Sequence, residues 1–457
     1  MIGNTGNDRN RYPKPLEAGF ERVLSPFQKF ISDQKTGSIL LVICTLGALL
    51  IANSPLSHAY EALVETPAGF EFGEWSFRMS VRHWINDGLL SLFFFVLGLE
   101  IKREILVGEL KDPGQSLPII AAALGGMLVP TAIFFALNAN LETIQGWGIP
   151  MATDTAFAVG VLTLLGRRIP AALFIFLTAL AIVDDLGAVL VIAVFYTESL
   201  NVSFLGLAGA FLLILAGCNV SGLRRPSVYF FGGGVVWLAM LGSGVHPTLA
   251  GVLVALTVPA RPKHEPRWLV REARSLIDEL EEIEAQSDKP VLASKDHHDV
   301  VERVHDTAEK ATTPLRRWEH FLERPIALLV MPVFALANAG IPVDTESLST
   351  LSTDRLVQGI VLGLIVGKSL GITLMTWLAL RLSLGRLPRG VAMRHIFGVG
   401  LLGGMGFTMS IFIAGLGFAD NPEALLGAKT AILLASLVAG ISGYLWLRLQ
   451  GRFQGLA

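Results

Sequence analysis

Residues 177–197 read LTALAIVDDLGAVLVIAVFYT, with Asp184 and Asp185 side by side in an otherwise apolar run. A run of ~20 apolar residues is what a helix needs to cross a bilayer. An ionisable residue at that depth costs free energy, so it is a functional candidate by default. Comparable runs recur about twelve times along the 457 residues. Hydrophobic residues make up 52% of the chain and charged ones 16%, whereas soluble domains carry about 25% charged residues. The pattern is that of an all-α polytopic membrane protein with about 12 transmembrane helices.

Composition excludes other classes. A net charge of −2 gives no basic field for nucleic acid. Cys44 and Cys218 both lie in apolar segments, which excludes a disulfide framework or zinc ribbon. The first 35 residues are polar and hold no apolar stretch, so no cleavable signal peptide is expected and the first membrane helix serves as targeting signal.

The expected spans are 36–58, 84–101, 117–137, 146–165, 170–196, 203–218, 227–242, 246–260, 325–341, 356–380, 395–418 and 426–447. Lysine and arginine accumulate in cytoplasmic loops. With the N-terminus inside, the loops and tails on that side hold 31 of the 36 cations; Arg78, Arg82, Arg355 and Lys429 fall outside, and Lys368 lies within a span. Both termini are therefore expected to be cytoplasmic. The organisation that follows is a cytoplasmic tail at 1–35, a first membrane part at 36–260, a long cytoplasmic linker at 261–323, a second membrane part at 324–449 and a tail at 450–457. Residues 61–77, with Pro67, Gly69 and Gly73 among alternating apolar residues, predict an external hairpin. In the linker, Leu269, Ala273, Leu276, Leu280 and Ile283 recur at helical spacing, predicting an amphipathic helix followed by a flexible stretch. Five histidines, His264, His297, His298, His305 and His320, fall there without a spacing that fixes a metal-ligand set.

Charge inside the membrane is confined to few residues. Asp154 lies in PMATDTAFAVG, Lys368 in GLIVGKSLGI, and Asp87 and Glu100 bracket NDGLLSLFFFVLGLE. An ion pair between Lys368 and one aspartate would hold helices together. It accounts for one carboxylate, and three mid-span aspartates face one cation. Adjacent residues on a helix project ~100° apart, so Asp184 and Asp185 face different neighbours. Carboxylate oxygens suit a hard cation such as Na⁺ or Li⁺, and burial penalises their charged form, so one group can hold a proton or a metal ion in turn. Competition of that kind is the minimal chemistry of a cation/proton exchanger.

Two spans are expected to break. Gly146, Gly148 and Pro150 precede Asp154 in the span at about 146–165, and the span at about 395–418 carries Gly398, Gly400, Gly403, Gly404 and Gly406. Close helix packing also uses such glycines. If the two breaks cross, Asp154 would offset the positive helix ends and Lys368 the negative ones.

In these residues the sequence resembles the bacterial NhaA family of Na⁺/H⁺ antiporters. The resemblance runs from about 36 to 449, excluding most of 261–315, through NDGLLSLFFFVLGLEIKRE (86–104), MATDTAFAVGVL (151–162), ALAIVDDLGAV (179–189), SGVHPTLAGV (243–252), FALANAG (334–340), VGK (366–368) and GFTMSIFIA (406–414). It implies inverted repeats, two crossing broken helices and a cytoplasmic funnel ending at the aspartate pair. It implies Asp185 as the main cation and proton site, with Asp184 as its neighbour and the partner of Lys368. Thr153 and Asp154 would belong to the crossing, and Asp87 would lie toward the external side. It further implies electrogenic exchange, more protons entering than Na⁺ or Li⁺ leaving, in the bacterial inner membrane, with no cofactor and no enzymatic activity. Activity rising at alkaline pH is implied too, with Glu319, His320 and His246 matching pH-responsive positions and Glu100 grouped with them. The hairpin would be a homodimer contact. Two departures adjoin that pH-responsive region: the linker is tens of residues longer than is typical, within 265–313, and EHFLERP (319–325) is one residue longer with Arg324 before the proline.

Three rivals share parts of this pattern. A channel would carry a filter motif such as TVGYG, and an intramembrane aspartyl protease a YD and GxGD pair; neither occurs. A sodium-coupled symporter would need an organic substrate to change the flux.

Overall fold

A computed structural model describes residues 34–72, 75–197, 200–263, 266–286, 295–342 and 353–453. The expected tail at 1–35, apart from its last two residues, therefore lies outside the described residues, as do 454–457 and His264. Among the described residues the chain is helical apart from one two-stranded hairpin.

Helix α1, Gln34–Ala52, meets α2, Ser57–Glu65, at 114°. Pro55 at the bend has no N–H to continue the helix, so the span expected at 36–58 stops at Ala52. Strands β1, Pro67–Phe72, and β2, Trp75–Ser80, pair antiparallel with Pro67 opposite Ser80. The hairpin expected at 61–77 thus lies at 67–80, and residues 61–65 belong to α2. Trp84 Nε1 donates to the Ala68 carbonyl (2.8 Å), tying the hairpin to α3, the helix over 81–107, which contains a π-helical turn at Trp84–Leu89.

Next come α4, Pro113–Asn138, a 3₁₀ helix Glu142–Met151, α5, Thr155–Leu165, and α6, Ala171–Phe195. They are followed by α7, Val202–Val220, α8, Pro226–Ser243, and α9, Thr248–Thr257. Helix ends carry the expected signals. Asp112 and Asn201 cap α4 and α7 through their side chains, and proline opens α4 and α8. Gly244 adopts φ +81° after α8, a left-handed turn that a glycine enters without a Cβ clash.

The linker forms two helices, α10, Pro266–Gln286, and α11, Lys295–Ala311. Where a flexible stretch was expected after α10, α11 packs on it through buried Leu276, Val300 and Thr307, with an Arg303–Glu279 bridge at 2.8 Å. The remaining helices are α12, Pro314–Asn338, whose first ten residues fall in the stretch expected as linker, α13, Arg355–Arg381, the broken pair α14, Met393–Gly403, and α15, Phe407–Gly417, and finally α16, Pro422–Phe453. π-Helical turns interrupt α12 at Ile326–Val330 and α13 at Gly363–Gly367.

Among the described residues eight helices are long and apolar enough to cross a membrane, or up to ten if each bent pair is one span. Each of the twelve expected segments contains helix, though not over its whole length. The two outside that count are α3, which carries Glu100, Lys102, Arg103 and Glu104 near its end, and α9, with ten residues. The outer faces are apolar, as in α7, where Leu213 and Val220 are 75% and 90% exposed. In lipid such faces satisfy the solvent while the backbone bonds stay within each helix. Inside, α4 lies against α13 so closely that Gly125 and Gly371 face each other's backbone, leaving no room for a Cβ on either. This approach carries Lys368 against Gly126 of α4 and into the centre of the bundle.

Candidate ion site at the crossing of two broken helices

The two expected breaks meet. The backbone is extended at Ala152–Asp154, between the 3₁₀ helix and α5, and α14 and α15 bend by 47° at residues 404–406. Asp154 N donates to the Met405 carbonyl (2.6 Å). Each break leaves backbone groups without helical partners, and the other break supplies some of them. Asp154 Oδ1 accepts from Phe157 N (3.1 Å), capping α5, while Oδ2 accepts from Thr408 N (3.0 Å) and from the Thr408 hydroxyl. One carboxylate thus faces the N-terminal turns of α5 and α15, where the helix dipoles favour negative charge.

The opposite helix end is met differently from the expectation for Lys368. The C-terminal carbonyl of α14, Gly403, lies 2.9 Å from the Thr153 hydroxyl, which is also 2.6 Å from Asp184 Oδ2. Lys368 Nζ forms its ion pair with that same Asp184 oxygen, both side chains being buried. Asp185, one residue on along α6, is equally buried; its Oδ2 accepts from the Thr155 hydroxyl at 3.3 Å. Its Oδ1, like Asp184 Oδ1, is buried without a hydrogen-bond partner. Asp185 also lies within electrostatic reach of Asp184, Asp154, Lys368 and Glu100. No three His, Cys, Asp or Glu side chains converge on one point among the described residues; the oxygens gathered here are those of two adjacent carboxylates, nearby hydroxyls and the Gly403 carbonyl.

Five of the ten residues singled out in the sequence therefore come together: Thr153, Asp154, Asp184, Asp185 and Lys368. The others form two separate groups. Asp87 sits in the π-turn of α3, its Oδ1 3.6 Å from His246 Nε2, and its carbonyl accepts from Trp237 Nε1 (2.9 Å). His246 Nδ1 is 2.8 Å from the Thr248 hydroxyl. At the other end of α3, Glu319 of α12 is buried and accepts from Arg103 Nε (2.9 Å) and Arg316 (3.3 Å), with Glu100 in electrostatic reach. His320, its neighbour in sequence, is exposed.

Sequence reasoning missed Thr155 and Thr408. Both are hydroxyl residues flanking a break inside an apolar span, and that position was the available signal. Buried carboxylates at the crossing of two broken membrane helices define an ion-coupled membrane transporter.

The chain belongs to the family described as Na⁺/H⁺ antiporter 1, which it matches over residues 28–447. It is 47% identical over 446 residues to Na⁺/H⁺ antiporter NhaA 1 of Saccharophagus degradans, covering 97% of this chain and 96% of that protein. It is 48% identical over 442 residues to NhaA of Oleidesulfovibrio alaskensis (96% and 97%), and 40% identical over 436 residues to NhaA of Dichelobacter nodosus (95% and 93%).

Proposed function

We propose that this multi-pass membrane protein is a Na⁺/H⁺ antiporter that expels Na⁺, or Li⁺, in exchange for entering protons, with Asp185 as the exchanging group. The observation that carries this reading is the free Oδ1 of Asp185, buried beside a neighbour that is already held by Lys368 and Thr153. With Asp185 ionised, the Asp184–Asp185–Lys368 group has a net charge of −1; a bound cation or a proton brings it to zero. Moving the uncompensated charge through a low-dielectric interior is expensive, so the loaded forms cross and the empty one does not. That asymmetry turns competition for one oxygen into obligatory exchange.

An excess of protons over cations, which makes exchange electrogenic, needs a second titrating group; the Asp184–Lys368 pair is the one in contact with the site. The protein sits in the bacterial inner membrane with both termini cytoplasmic, as the cation distribution favours. This places Glu319 and Arg103 at the cytoplasmic surface and Asp87 and His246 toward the outside. Glu319, Glu100, His320 and His246 supply a response to alkaline pH, and the hairpin at 67–80 joins two copies. No step in this exchange is a chemical conversion, so the protein is not an enzyme.

The test is Na⁺-driven relief of an inside-acid pH gradient in everted vesicles, compared between wild type and Asp185→Asn from neutral to alkaline pH. Sodium raising the lumenal pH only for wild type, and more at alkaline pH, supports the proposal. Sodium moving no protons in either protein overturns it.

A further inference from the structure

The structure ties α3 to α12 at both ends. At the cytoplasmic end the tie is the Arg103–Glu319 ion pair (2.9 Å). At the other end Asn338, buried, donates from Nδ2 to Asn86 Oδ1 (2.8 Å), and Asn86 Nδ2 donates back to Asn338 Oδ1 (3.3 Å). The two ties are roughly 25 Å apart along α3 at 1.5 Å per residue. Asn338 is fixed in its own helix by a second bond, Nδ2 to the Phe334 carbonyl (3.0 Å). The same end of α12 is anchored to α1 and α2: Tyr60 donates to the Leu336 carbonyl (2.6 Å) and Asn53 to the Ile341 carbonyl (2.8 Å).

Asn86 immediately precedes Asp87 in the π-turn Trp84–Leu89. Single π-turns inside α-helices are rare and occur frequently at functional sites. Here successive side chains are aimed at different partners. Asn86 meets α12, and Asp87 meets His246 in the turn between α8 and α9.

We propose that the reciprocal Asn86–Asn338 amide pair is a positioning element for Asp87, holding the outward-side carboxylate at a fixed place relative to α12 while cations enter and leave there. The inference rests on the exchange reading above and deepens it by assigning these residues to the outer half of the pathway. Neither asparagine touches the ion site at the crossing, so the pair acts on access from outside and leaves the cytoplasmic half-reaction alone.

The experiment measures the Na⁺ concentration for half-maximal exchange in everted vesicles, where added Na⁺ meets the cytoplasmic face, and in right-side-out vesicles, where it meets the outer face. The proteins compared are wild type, Asn86→Ala, Asn338→Ala and the double variant. Asn86 is only half buried, so Asn86→Ala provides a reading if Asn338→Ala fails to fold. The expected result is an outer-face concentration raised roughly five- to tenfold, the size of effect a lost buried hydrogen bond produces. The cytoplasmic-face value stays within about twofold, and the double variant is no worse than either single one, because one pair has been broken once. Equal shifts at both faces, additive effects of the two substitutions, or folded variants indistinguishable from wild type would overturn the proposal. If wild type itself moves no protons in either orientation, the exchange reading fails first; active wild type beside unshifted variants sinks the positioning role alone.

Discussion

Lys368 and Asp184 form an ion pair that solvent does not reach, their side chains being 0% and 2% exposed. Attraction between buried charges does little more than compensate the cost of taking both out of water, but removing one partner strands the other. Lys368→Ala is therefore expected to lower stability by about 3–5 kcal/mol and to weaken cation binding less. Thermal unfolding in detergent, read beside direct Na⁺ binding, checks this; an unchanged melting temperature with exchange abolished refutes it.

Asp185 is bound far more loosely than its neighbour, by one hydroxyl contact at 3.3 Å. Asp185→Asn should leave the fold almost untouched, within about 1 kcal/mol, and reduce exchange to background. The amide carries neither the charge that holds a cation nor a proton it can release. Substantial residual Na⁺-driven proton movement in vesicles containing folded Asp185→Asn would move the exchanging role elsewhere.

Asp154 supports two helix ends at once, so its removal should cost more than that of any single partner. Asp154→Ala is expected to destabilise by about 2–4 kcal/mol, summing a lost cap and the stranded donors of Thr408. Thr408→Val, which removes the hydroxyl and keeps the backbone N–H bond, should cost about 1 kcal/mol. Denaturant unfolding of both variants gives the ranking, and the reverse order would contradict the capping role.

Two ion pairs at the start of α12 differ in burial and should differ in effect. Arg317 reaches Glu309 at 2.8 Å, but the Glu309 side chain is half exposed. Arg317→Ala is expected to change stability by about 0–1 kcal/mol. Glu319 is buried against Arg103 and Arg316, and Glu319→Ala should cost about 2 kcal/mol for the lost charge-assisted hydrogen bonds, Arg103 keeping its pairing with Glu104. Thermal unfolding of the two variants side by side separates them, and equal losses would show that burial does not set the scale here.

Much of this site was legible because the membrane makes charge conspicuous. Asp154, Asp184, Asp185 and Lys368 stand out in apolar runs, and glycine and proline mark where helices break. Which aspartate takes Lys368 was implied only by resemblance to a family, since residue spacing alone does not tell two adjacent carboxylates apart. Hydroxyls and amides were harder to see. Thr155, Thr408, Asn86 and Asn338 cost little in a membrane helix and carry no charge pattern, so their roles depend on partners distant in sequence. The end of α1 could have been read from Asn53, Ser54 and Pro55, a run that favours a turn. The helix α11 was hidden by its mostly polar composition, with few apolar residues to set a period.

Asp154 and Thr408 lie 254 residues apart in the chain, yet Asp154 caps the helix that Thr408 opens as well as its own. Neither broken helix is a finished object by itself: each is half of a mortise-and-tenon joint. During synthesis the earlier half must wait, with its polar ends unmet, until the later one has been inserted. Once closed, each half holds polar ends of the other, so displacing one half alone would leave buried backbone groups unpaired.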